Sequence, residues 1–112
     1  MNAFDVYHWQ PPGWPEPHPC VIVSHPSRVA NKPEVNVLMC ASKRATRQAE
    51  AGEVILDPAD GMDWPTLCKC DLLHVVNKQE LKHRKGAVSP LRRIKIVQTI
   101  IAAQGWGNVA AF

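Results

Sequence analysis

Over its first 76 positions the chain carries apolar residues in short runs broken by proline, glycine and charged side chains. Only after residue 89 does the apolar spacing change to steps of three and four. Short β-branched and aromatic runs bounded by turn residues predict strands, whereas three- and four-residue steps predict a helix. Phe4 to Trp9 is the first predicted strand. It is closed by Gln10 to Pro17, a proline-rich loop that cannot continue a ladder because proline has no amide donor. Pro19 to Ser24 is almost wholly apolar and predicts a buried strand, after which His25 to Pro33 turns the chain back. Val35 to Ser42 is the next strand. Lys43 to Gly52 is a polar excursion with room for one helical turn over Arg47 to Ala51. Glu53 to Asp57 predicts another strand, Pro58 to Pro65 a turn-rich link, and Thr66 to Val76 a long strand with a bend near its middle.

The last segment reads as an amphipathic helix. Ser89 is its candidate N-cap and Pro90 its first residue, and Gly105 marks its end. Leu91, Ile94, Val97, Ile100 and Ile101 form the apolar face expected to meet the core. Five or six short strands followed by one helix predict a mainly β, α+β fold: a small curled sheet or barrel with the helix packed against it.

At 112 residues, 46% hydrophobic and 21% charged, the chain is long enough for one core, and residues 1–112 are expected to form one domain. The formal net charge of +3 does not by itself demand a polyanionic partner, but its distribution is uneven. Residues 1–65 hold five basic and eight acidic side chains, residues 66–112 eight basic and two acidic, so the second half is suited to face phosphate. Arg92, Arg93 and Lys95 lie early in the helix, where positive charge opposes the macrodipole and adds nothing to helix stability. The first residues lack a basic stretch leading into an apolar run, and nothing approaches the about 18 apolar residues of a membrane span. A cytoplasmic location is expected, with no membrane association. In that setting Cys20, Cys40, Cys68 and Cys70 are read as reduced core residues. The one-residue gap between Cys68 and Cys70 is tighter than structural zinc sites use, so no metal is expected.

No phosphate-binding glycine loop, nucleophile elbow or metalloprotease motif occurs, and candidate chemistry must come from pairs. Residues i and i+2 of a strand share a face, so Lys69 and Asp71 stand side by side while Cys68 and Cys70 point away. Such a pair fits an ordinary surface ion pair. It equally fits an acid and phosphate clamp (Lys69) beside a base (Asp71), the equipment for moving a proton off a ribose 2′-OH. His18, held between Pro17 and Pro19, supplies an imidazole, a side chain able to give or take a proton. Ser42, Lys43 and Arg44 offer a hydroxyl and two positive charges to a phosphate. Trp9, Trp14 and Trp64 fall at strand ends or loops, where rings stack on unpaired bases or fill an interface, and Trp106 after the helix suits core or interface.

The order of these pieces resembles the MazF/PemK toxins of type II toxin-antitoxin pairs. Phe4 to Tyr7 resembles the family's opening strand, His18 to Ser24 its strand that begins with a basic residue and proline, and Val37 to Ser42 its strand ending in Thr or Ser. Thr66 to Lys78, with Lys69-Cys70-Asp71 at its centre, is similar to the PemK branch, and Lys85 to Ser89 resembles the lead into the final helix. The resemblance implies an SH3-like barrel of five to seven short strands with a C-terminal helix. It implies a cofactor-free endoribonuclease cutting single-stranded RNA by metal-independent 2′-OH attack, with Lys69, Asp71 and His18 catalytic and Ser42, Lys43, Arg44 and Trp14 binding substrate. It further implies a homodimer with the RNA groove at the subunit interface, and an antitoxin whose acidic or disordered tail covers that groove. The sequence departs from the family where His18 and Lys69 replace arginines and where Ala41-Ser42 thins a Thr/Ser doublet. These departures also fit a weak or inactive barrel that binds a protein partner or nucleic acid, such as a toxin that blocks a topoisomerase.

Overall fold

The computed structural model spans residues 1–112. Seven strands are present: β1 (Asp5–Trp9), β2 (His18–Ile22), β3 (Glu34–Met39), β4 (Glu53–Leu56), β5 (Thr66–Lys69), β6 (His74–Asn77) and β7 (Lys82–Ala87). Two α-helices, α1 (Pro26–Asn31) and α2 (Pro90–Gln104), complete the main elements. Five strands form one antiparallel sheet in the order β6-β3-β2-β1-β7, and β4 and β5 form a separate antiparallel hairpin. A single bridge, Cys40 opposite Cys68, joins the two. The predicted β-rich fold with a C-terminal helix is therefore present, but the sheet does not close into a barrel. The hairpin is bridged to the sheet only just past the end of β3, at Cys40, and β6 and β7 remain edges.

The apolar runs of β2 and β3 bury both of their faces, which is why they lack alternation. Cys20, Val21 and Ile22 are fully buried, as are Val37 and Leu38. One core layer (Val6, Val21, Leu38, Leu56, Cys68, Ile96) lies between the sheet, the hairpin and α2. The other (Trp9, Ile22, Val29, Val37, Val76) lies on the opposite face under α1. Cys40, Cys68 and Cys70 belong to the first and Cys20 to the second. Burial pushes the Cys20 thiol up to about 12, so it stays protonated as a small core group.

Several expectations are corrected. The His25 to Pro33 turn contains α1, started by Pro26 and capped by His25, whose Nδ1 accepts the Ser27 N–H at 3.1 Å. No helical turn forms over Arg47 to Ala51. Thr66 to Val76 is two strands in different sheets, because the chain leaves the ladder after Lys69 and crosses through Cys70 to Leu73 to the far edge. The strand predicted to reach Ser42 ends at Met39. β7 was not predicted: four successive basic residues, Lys82 to Lys85, leave no alternation to read. Helix α2 has the predicted ends, with Gly105 in the left-handed conformation at its C-cap, but of the predicted apolar face only Ile100 is inside. Ile96, Thr99 and Ile100 are buried, whereas Leu91 and Ile94 are 82% and 56% exposed and Val97 and Ile101 also face out.

Candidate functional site

All three residues expected to be catalytic meet in one open cleft of about 410 Å³, lined by His18, Lys69 and Asp71 together with Trp14, Leu72 and His74. β5 ends at Lys69, and Cys70 then turns fully inward, its amide donating to the Gly52 carbonyl at 2.9 Å. That inward turn leaves Asp71 exposed on the far side of the same step. Its main-chain oxygen accepts from Gln104 Nε2 at 3.1 Å, which ties the site to the end of α2. A methyl group at Gly52 would lie 3.1 Å from the Asp71 Cβ, so the missing side chain there makes room for the carboxylate.

The expected Lys69–Asp71 ion pair is not formed. Glu53 stands directly across from Lys69 in the β4–β5 ladder and takes its ammonium. The same buried carboxylate accepts both guanidinium nitrogens of Arg47, at 2.6 and 2.9 Å, and the Glu50 N–H at 2.9 Å. The hydrogen bonds from Arg47, reinforced by those from Lys69 and Glu50, outweigh the burial penalty and hold Glu53 far below the usual carboxylate range. Asp71 makes no ion pair, so its carboxylate is free to accept from a substrate hydroxyl. Sequence reading missed Glu53 and Arg47, because only strand register brings Glu53 opposite Lys69.

His18 opens β2, its Nδ1 3.2 Å from the Cys40 carbonyl. A carbonyl only accepts, so Nδ1 is the donor in this contact, and Nε2 is the nitrogen left to exchange a proton with another group. The ring stands edge-on to Trp14, with centroids 4.9 Å apart and planes at 87°. Trp14 is 44% exposed and presents an aromatic surface at the rim. Ser42 sits beyond Ala41 in a neighbouring cleft of about 120 Å³ that also contains His8, Trp64 and Lys85. Its hydroxyl donates to Glu16 Oε1 at 2.7 Å. Lys43 and Arg44 are exposed and line neither cleft. The structure thus gathers His18, Lys69, Asp71 and Trp14, places Ser42 next door, and leaves Lys43 and Arg44 outside.

An antiparallel sheet, a small hairpin and a C-terminal helix thus surround an open cleft at the hairpin's end. The chain belongs to the PemK-like, MazF-like toxin family of type II toxin-antitoxin systems, whose model matches residues 5–103. Among solved structures it is similar to a mycobacterial endoribonuclease in complex with its cognate antitoxin. The identity is 23% and the TM-score 0.80, over 94% of this chain and 95% of that one. A MazF toxin of Mycobacterium tuberculosis aligns at 18% identity and TM-score 0.76, covering 90% and 96% of the two chains. A MazE–MazF complex from Deinococcus radiodurans aligns at 10% identity and TM-score 0.73, covering 94% and 95%. No match is found among curated proteins.

Proposed function

We propose that this protein is a toxin endoribonuclease that cleaves single-stranded RNA and is neutralised by a cognate antitoxin in the cytoplasm. The observation that carries the reading is the convergence of His18, Lys69 and the unpaired Asp71 on one open cleft beside an exposed tryptophan. In the proposed reaction Asp71 takes the proton of a ribose 2′-OH, and O2′ attacks the adjacent phosphorus. The bond from phosphorus to the 5′-oxygen breaks, and Lys69 and His18 balance the developing charge and protonate the departing oxygen. The three side chains supply base, acid and cation without a metal ion. The products are a 2′,3′-cyclic phosphate and a 5′-hydroxyl end, and flanking bases stack on Trp14 as single-stranded recognition requires. Family membership and neighbours that include an endoribonuclease with its antitoxin support the reading.

Incubation with RNA in EDTA, followed by end mapping, tests it. Asp71→Ala and Lys69→Ala are expected to slow cleavage by about 10²–10⁴-fold, the usual contribution of a positioned acid or base. Undiminished rates in both variants would sink the mechanism. The hold of Glu53 on Lys69 favours a second reading, a weak or inactive barrel that binds RNA or a protein target; bound but uncut RNA is its signature. We further propose a homodimer in which the outward apolar stripe of α2 is covered by a second copy. Leu91, Ile94, Val97 and Ile101, continued by Trp106, form an apolar surface of the kind that marks association sites.

A further inference from the structure

Strand β7 carries Lys82-His83-Arg84-Lys85, four basic residues in a row on a sheet edge. Its pairing with β1 jumps from Val6↔Gly86 to His8↔Lys82, so the single residue Tyr7 faces three residues of β7. This bulge places His83 at φ 52, a left-handed conformation uncommon for a residue with a side chain, and interrupts the ladder along the four basic residues. Two of them are neutralised: Arg84 by the buried Asp5 at 3.2 Å and Lys85 by Asp63 at 3.0 Å. Lys82 and His83 have no carboxylate partner. They line, with His8, Gln10 and Pro17, an open cleft of about 370 Å³. Glu80 borders it too, but its carboxylate is turned to accept the Asn77 N–H at 3.3 Å. His8 and Pro17 are shared with the small cleft of Ser42, Trp64 and Lys85, and Ala41 is shared between that cleft and the one holding His18, Lys69 and Asp71. The three clefts therefore adjoin one another on the surface between the β7 bulge and the site of the proposed cleavage.

We propose that Lys82, His83 and His8 form a second phosphate station, which holds the backbone of single-stranded RNA flanking the scissile bond. The proposal rests on the RNA-cleavage reading for its substrate class, but it makes its own claim about binding. The basic side chains of the station suit phosphate oxygens rather than base edges, so it adds affinity without sequence preference. The charged groups facing His8 are Lys85, His83 and Asp63, with Lys82 and Glu80 across the cleft. Burial and the two cations Lys85 and His83 lower the His8 pKa in the free protein, with Asp63 opposing. A phosphate in the cleft reverses that field, so protons are taken up on binding and affinity rises as pH falls.

The experiment is fluorescence anisotropy of a labelled, uncleavable 2′-O-methyl oligonucleotide against a salt series at pH 6 and pH 8. Wild type is compared with Lys82→Gln/His83→Asn, asparagine being chosen because it tolerates the left-handed backbone at position 83. Arg28→Gln, on the exposed side of α1, controls for net charge. The double variant is expected to bind about tenfold more weakly at pH 6. Its salt slope should fall by about 0.7 for each cation removed, and its pH dependence should shrink. Arg28→Gln is expected to match wild type. Equal affinity and equal slope in wild type and double variant would overturn the station even if the protein cuts RNA. Station-dependent binding by a protein that never cuts RNA would overturn the cleavage reading and leave the station standing. Absence of any binding by wild type would overturn both.

Discussion

Glu53 holds two cations at once, and its environment decides how the site responds to pH. Its carboxyl is kept charged far below the ordinary range chiefly by Arg47, so the stability it contributes is present above the unfolded-state pKa of about 4.3 and is lost as pH falls through the lower folded-state value. Glu53→Gln is expected to lower unfolding free energy at pH 7 by about 1.5–3 kcal/mol, the range for hydrogen bonds to charged groups. In urea titrations the gap between variant and wild type should narrow below pH 4; identical stability at pH 7 would contradict the assignment. Glu16 acts in the other direction. Its carboxylate occupies the Ser42 hydroxyl and puts negative charge beside the proposed RNA path. Glu16→Gln is expected to tighten oligonucleotide binding about twofold to fivefold at low salt, the scale of an exposed charge effect, and weaker binding would refute that role. At this scale the strand period singled out Lys69 and Asp71 as a pair, but β5 ends at Lys69, and it is the turn through Cys70 that brings Asp71 to the same cleft. The partner of Lys69 was not legible, since Glu53 lies sixteen residues earlier and only the ladder register brings it across.

Helix α2 begins at the residue its N-cap signal indicates, but the cap works differently. The Ser89 side chain makes no capping hydrogen bond; the fully buried Asp60 accepts the Ser89 N–H at 2.9 Å and the Asp57 N–H at 3.0 Å and sits 3.5 Å from Arg92. A negative charge at the helix start also complements the macrodipole, which Arg92 and Arg93 oppose. Asp60→Ala is therefore expected to cost about 3–5 kcal/mol, as for breaking one side of a buried charged network. Ser89→Ala should fall below the about 0.5–2 kcal/mol of an ordinary cap. Chemical denaturation of both variants checks the ranking, and a larger loss from Ser89→Ala would reverse it. The turn that delivers Asp60 depends on Gly61, at φ 86, where a Cβ would lie 2.9 Å from the Gly86 Cα in β7. Asp60-Gly61 reads in sequence only as a turn. Its role at a helix start 29 residues later is a product of packing.

The whole molecule leaves one face unaccounted for within a single chain. Helix α2 is apolar on two sides: Ile96 and Ile100 enter the core, while Leu91, Ile94, Val97 and Ile101 face out. Light scattering on the purified protein is expected to give twice the mass of one chain, and Ile94→Glu should shift it to the monomer with an unchanged far-ultraviolet spectrum, since that side chain is more than half exposed. A monomeric wild type would count against the dimer. The helix pattern illustrates the division of information in this protein. Three- and four-residue spacing fixes that residues 90–104 are helical, because backbone period is local. It does not say which of two apolar stripes meets the core, because that depends on the sheet beneath. By itself the sequence determined the strand-rich order, the ends of α2 and the inward cysteines, all consequences of period, turn chemistry and proline's missing donor. Tertiary structure alone decided the open sheet, the Glu53 clasp on Lys69, the bulged β7 with its free cations and the separation of Ser42, Lys43 and Arg44 from the cleft. Each of these turns on pairing between residues distant in the chain, where register and burial, rather than local preference, set the outcome.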